Sequence, residues 1–137
     1  MKALTQVRLI WAAGAIQAGI VLVNGVLPER LRVRETVKDV PLFIRQMFYV
    51  HWIYIVLTVG FFSALCFGFA RDLAGASLLG RFLSAFLGGF WLLRLALQCF
   101  YYDREVRRAN RWLDAVYLAS LIALLAIFAR ASFVPVA

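Results

Sequence analysis

Four long apolar runs, separated by charged or glycine-containing stretches, organise the chain. They cover residues 9–27, 46–70, 82–102 and 112–129, each within the about 17–25 residues that a helix needs to cross a bilayer. The pattern predicts an all-α fold: a four-helix transmembrane bundle, built as one integral membrane domain over 1–137. The first run follows a basic start and carries small residues at Ala13 and Ala15, as a secretory signal would. It continues to Leu27, so a retained span is expected rather than a cleaved leader.

Between the runs lie a polar connection over 28–45, a short turn over 71–81 and a compact charged connection over 103–111. In the first connection Val33, Val37 and Val40 recur at helical spacing. That segment reads equally as a short helix on the membrane surface or as a solvated charged loop. Small residues four apart mark faces that another helix can approach closely: Ala15 with Gly19, the row Gly60, Ala64 and Gly68, and the row Ala115, Ala119 and Ala123. Packing within one bundle or a homodimer would both use such faces.

Composition supports the membrane reading. Hydrophobic residues make up 64% and charged residues 16%, against about 45–50% and about 25% in ordinary soluble domains. A soluble bundle of this length could not hide so much apolar surface. The net charge of +8 is spread between the runs instead of forming a groove lined with stacking aromatics, which argues against nucleic-acid binding. The five basic residues Lys2, Arg8, Arg71, Arg81 and Arg130 fall on the side of the termini. Nine fall on the other: Arg30, Arg32, Arg34, Lys38, Arg45, Arg104, Arg107, Arg108 and Arg111. The positive-inside rule therefore places connections 28–45 and 103–111 in the cytoplasm of an inner-membrane protein, with both termini on the non-cytoplasmic side. Tyr49, Trp52, Tyr101, Tyr102, Trp112 and Tyr117 gather toward the cytoplasmic ends as an aromatic belt.

The two cysteines, Cys66 and Cys99, fall near opposite faces of the bilayer, too far apart for a disulfide within the chain. With one histidine and no CxxC, no metal set and no haem ligand pair is expected. No cofactor is implied and no catalytic residue is assigned.

The third run stands out because it carries Arg94 near its middle and Gln98 one turn later. An arginine at the bilayer centre costs about 2.5–3.5 kcal/mol on insertion scales, so partners are required. Arg94 lies nine residues before Asp103, about 13–14 Å from the cytoplasmic end. Tyr54 reaches a similar depth from the second run, while His51 and Gln98 match each other nearer the surface. Asn24 and Tyr117 enter the same half from the remaining runs, and the other half holds little beyond Ser63 and Ser84. Trp91, Arg94, Gln98 and Tyr101 share one helical face. A helical arginine leans toward its own N-terminus, here the far surface. Arg94 is therefore expected to face the bundle interior, held by Tyr54, Gln98 and Trp91.

No carboxylate matches the depth of Arg94; Asp103 and Asp114 are nearest and belong to the interface. Either one of them reaches inward or the counter-charge comes from outside. The candidate ligand-binding set is thus Arg94, Gln98, His51, Tyr54, Trp91 and Tyr101. The expected function is that of an accessory or binding subunit whose cytoplasmic-half pocket takes an anionic lipid or another amphiphile. The alternatives are a structural scaffold subunit of a larger membrane complex and a membrane-embedded enzyme with His51 as acid–base group. The enzyme is the weakest, because no second acid–base group is visible.

Overall fold

The computed structural model describes residues 2–30, 32–102, 104–109 and 111–134, and every regular element among them is helical. In chain order these are α1 (Lys2–Arg30), α2 (Val33–Thr36), α3 (Leu42–Gly68), a π-type turn (Asp72–Ala76), α4 (Leu78–Phe100), α5 (Arg104–Ala109) and α6 (Arg111–Phe133). Helices α1, α3, α4 and α6 are long and apolar enough to cross a membrane.

The helices run past most edges of the apolar runs, because hydrogen bonding carries a helix beyond the hydrocarbon that hydropathy marks. Thus α1 starts at Lys2 and passes through Pro28, which, in the last turn, removes only one backbone donor. In the other direction α3 stops at Gly68, short of 70, where Phe69 leaves helical geometry at φ −123°, ψ 33°. The connection after α1 contains a single helical turn, α2, with no buried residue, entered through Arg32 in the left-handed region at φ 49°. It is closer to the solvated loop than to a surface helix.

The turn between α3 and α4 is tightly specified. Gly75 takes φ 97°, a conformation that glycine adopts at little cost. Ser77 then caps α4, its hydroxyl accepting from the Gly80 amide at 3.0 Å. The buried Ser84 hydroxyl donates to the Leu73 carbonyl at 2.7 Å, which ties the turn to the helix. Gly80 lies so close to the Asp72 carbonyl that a Cβ there would overlap it.

The bundle is two helical pairs. Helix α1 packs on α3, α4 packs on α6, and α1 with α6 joins the pairs. In the first pair a Cβ on Gly14 would lie 3.0 Å from Cys66 Cβ, and the Ser63 hydroxyl donates to the Gly14 carbonyl at 2.8 Å. In the second a Cβ on Gly88 would lie 3.5 Å from Phe128 Cβ. The core runs through both pairs, with Ile10, Ala13, Cys66, Leu87, Trp91, Leu121, Leu124 and Phe128 all buried. Gly14 and Gly88 thus stand at close helix contacts within the chain, and a Cβ on Gly60 would meet Val21 of α1 at 3.9 Å. By contrast Gly19 and Gly68 face open space, and Ala15, Ala64, Ala115 and Ala119 are exposed.

Candidate functional site: an arginine cleft with a buried relay

The α4–α6 pair carries a continuous polar chain from mid-helix to the basic end. The Arg94 guanidinium donates through Nη1 to Gln98 Oε1 at 3.2 Å. Gln98, itself buried, turns its amide nitrogen to Asp114 Oδ1 at 2.8 Å. Asp114 is gripped by Arg107, whose Nε lies 3.1 and 3.0 Å from the two carboxylate oxygens and whose Nη2 lies 2.9 Å from Oδ2. This two-pronged contact is the strong form of an arginine–carboxylate pair. The Asp114 hydrogen bonds raise the Arg107 guanidinium further above its already high ordinary pKa.

Two rings approach Arg94, its Cζ lying 5.2 Å from the centroids of Tyr102 and of Tyr117. Both distances fall inside cation–π range. Gln98 and Tyr102 lie C-terminal to Arg94, so the side chain runs toward the near, basic end. This corrects the expected lean toward the N-terminus: the acceptor and rings that satisfy the guanidinium lie in the other direction.

Around the outer end of this chain opens a cleft of about 320 Å³, lined by Arg104, Arg107, Arg108, Arg111 and Asp114. It lies where α5 meets the first turn of α6. The Asp114 carboxylate is already occupied by Arg107 and Gln98, so the lining is strongly cationic. Trp112 and Tyr101, both highly exposed, flank the same end of the bundle.

The structure brings together Arg94 and Gln98 of the expected set and leaves the others apart. Trp91 is buried at 1% exposure, with its ring edge-on to Phe90 at 5.2 Å; the rings on Arg94 are those of Tyr102 and Tyr117 instead. His51 is exposed, and its Nδ1 donates to the Met47 carbonyl of its own helix at 2.8 Å. Tyr54 is 67% exposed and Tyr101 is 82% exposed, its ring edge-on to Tyr102. The reason is helix placement: α3 leans on α1 and meets α4 through Phe62, stacked edge-on to Phe86 and Phe90. Phe62 is eleven residues beyond His51, about 16 Å along the helix. Asn24 likewise turns to its own helix, donating to the Ile20 carbonyl at 2.8 Å. The cluster is thus made by two of the four long helices, α4 and α6, together with Tyr102 and Arg107 from the stretch between them. Asp103, the other carboxylate considered for Arg94, lies outside the described residues.

Neither Tyr102 as a partner of Arg94 nor Arg107 as a partner of Asp114 was legible. The one available signal was spacing: Arg104, Arg107, Arg111 and Asp114 recur at three and four residues, one face of a helical stretch. The opposite end of the bundle is also less bare than the apolar pattern implied. There Arg130 Nε donates to Gln6 Oε1 at 2.9 Å, and Arg81 Nε donates to the Ser132 carbonyl at 3.0 Å, covering an orphan carbonyl at the end of α6. Three buried donors have no partner among the described residues: Gln6 Nε2, Gln17 Nε2 and Trp91 Nε1.

No protein-family model, no curated protein and no solved structure matches the chain.

Proposed function

We propose that this is a small multi-pass membrane protein that binds an anionic lipid head group in the arginine cleft at the basic end of the α4–α6 pair. The observation that carries the reading is the lining itself: four arginines share a cleft with a single lining carboxylate that one of them already occupies. Guanidinium groups of this density attract phosphate oxygens, which they engage through paired N–H donors. The flanking Tyr101 and Trp112 are the residue types that settle at the head-group level of a bilayer, which puts the cleft where lipid phosphates lie.

In this reading the basic connections face the cytoplasm of the inner membrane and both termini face the other side, as the excess of arginine on the connections favours. The protein acts as a binding or accessory subunit. Its open small residues, Ala64 and Gly68 on α3 and Ala115 and Ala119 on α6, serve contacts with a second copy or a larger membrane complex. His51, the acid–base residue of the enzyme alternative, bonds to the Met47 carbonyl of its own helix and is not among the residues lining the cleft.

Native mass spectrometry of the full chain in micelles containing equal phosphatidic acid and phosphatidylcholine tests the reading. The wild type is expected to retain phosphatidic acid. A variant with Arg104→Ala, Arg108→Ala and Arg111→Ala is expected to lose that preference while keeping its helicity. Equal retention of both lipids by the wild type, or an undiminished preference in the triple variant, refutes it. Reporter tags on the two termini, both protected from cytoplasmic protease, check the orientation.

A further inference from the structure

Asp114 sits between two cations and needs one. Arg107 grips it directly. Arg94 reaches it through Gln98, whose amide oxygen faces Arg94 and whose amide nitrogen faces Asp114. The chain Arg94–Gln98–Asp114–Arg107 therefore carries one positive charge in excess, and the two arginines differ in which can move. Arg94 is fixed mid-helix, near the rings of Tyr102 and Tyr117. Arg107 stands on the six-residue α5, lines the cleft and is partly exposed, at 24% for its side chain.

We propose that Arg107 is the exchangeable arm of the cleft, held by Asp114 when no anion is bound and passed to a phosphate oxygen of the ligand. Arg94, acting through Gln98 as a positioning residue, keeps the Asp114 charge compensated meanwhile. The inference rests on the anion-binding reading above and adds its mechanism. Removing one partner of a half-buried ion pair is ordinarily costly because the other is left uncompensated; here the relay supplies the compensation from below. A partly exposed pair is worth at most about fivefold in an equilibrium, so a phosphate group that also engages Arg104, Arg108 or Arg111 outcompetes it. The built-in carboxylate thus acts as a threshold: a phosphate displaces it, and a neutral or zwitterionic head group does not.

The sign of one substitution separates this mechanism from a rigid site in which Asp114 merely orients Arg107. If Asp114 competes with the ligand, Asp114→Asn releases Arg107 and raises retention of phosphatidic acid by about fivefold. If Asp114 orients Arg107, the same change lowers it. Gln98→Leu cuts Arg94 off from Asp114, so Arg107 stays with the carboxylate and retention falls. In the double variant Asp114→Asn/Gln98→Leu no charge is left to compensate, and retention returns to that of Asp114→Asn alone.

The experiment titrates the full-length chain in phosphatidylcholine micelles with phosphatidic acid, reads retained lipid by native mass spectrometry, and compares helicity by circular dichroism. Inorganic phosphate is added in a separate arm. Retention that rises in Asp114→Asn, falls in Gln98→Leu and recovers in the double variant supports the exchange. Displacement of the lipid by inorganic phosphate supports it with a free anion as an equally good source, and lack of displacement assigns the site to lipid. Lower retention in Asp114→Asn, or a double variant that stays at the Gln98→Leu level, overturns the exchange. Arg107→Ala, on the exposed α5, gives an answer that does not depend on the core, since unchanged retention there also overturns it. A wild type that shows no preference for phosphatidic acid removes the anion-binding reading itself, a different failure from a wild-type preference that Asp114→Asn does not increase.

Discussion

Gly80→Ala isolates the turn that sets α4 against α3. A methyl group at Gly80 meets the Asp72 carbonyl, an atom of the backbone, and also approaches the Ser77 hydroxyl at 3.1 Å. Neither helix start nor turn can yield without losing something. Moving the first turn of α4 weakens the Ser77 cap, worth about 0.5–2 kcal/mol. Moving the turn away from α4 breaks the Ser84 bond to Leu73; interhelical side-chain bonds of membrane proteins average about 0.6 kcal/mol and reach about 1.7. Against these losses stands the better helix propensity of alanine, about 0.8–1 kcal/mol. Gly80→Ala is therefore expected to fall about 0.5–2 kcal/mol below an alanine placed without obstruction in the same helix, enough to cancel or exceed the propensity gain. Gly89→Ala, about two and a half turns further along the same helix, supplies the control, because a Cβ there meets nothing within 4 Å. It keeps the propensity gain and pays none of the losses. Unfolding of both variants by sodium dodecyl sulfate in mixed micelles, followed by circular dichroism, measures the difference. Gly80→Ala at or above the stability of Gly89→Ala would mean that the turn is not the constraint described here.

Two further substitutions probe the packing and the relay. Gly14→Leu drives a side chain into Cys66 and Phe67 across the α1–α3 contact and is expected to lower unfolding stability by about 1–3 kcal/mol, with the same assay as readout; no loss would show that this contact is not close. Tyr117→Phe keeps a ring over Arg94 whereas Tyr117→Leu removes it, so the leucine variant alone should lose about 0.5–2 kcal/mol; equal behaviour of the two would remove the cation–π role.

The four spanning helices were legible from hydropathy alone, since runs as apolar as 46–70 admit few other folds. Their ends were not, because caps such as Ser77 and breaks such as Phe69 act through local geometry that an apolar average does not register. The special status of Arg94 and its link to Gln98 followed from one turn of spacing within a single helix. What failed was the pairing between helices. Matching His51 and Tyr54 to Arg94 by depth assumed that every helix turns toward a common axis, whereas α3 turns to α1. Depth constrains one coordinate and rotation about the helix axis is the other; the close approaches at Gly14 and Gly88 set that rotation. Gly60, which α1 approaches, shares its row with the open Ala64 and Gly68, so spacing did not say which small residues are used inside the chain.

The clasp between Gln6 and Arg130 joins residues 124 positions apart, whereas the relay from Gln98 to Asp114 closes over 16. Both wait for α6, but the relay needs only its first turn, which carries Asp114, to lie beside α4. The clasp waits for its last turn, which carries Arg130. Until then the Gln6 amide oxygen on α1, destined for an almost dry position, lacks its donor. Chains that stop short of Arg130 are thus marked at that oxygen, and the mark is covered once the last turn of α6 is in place.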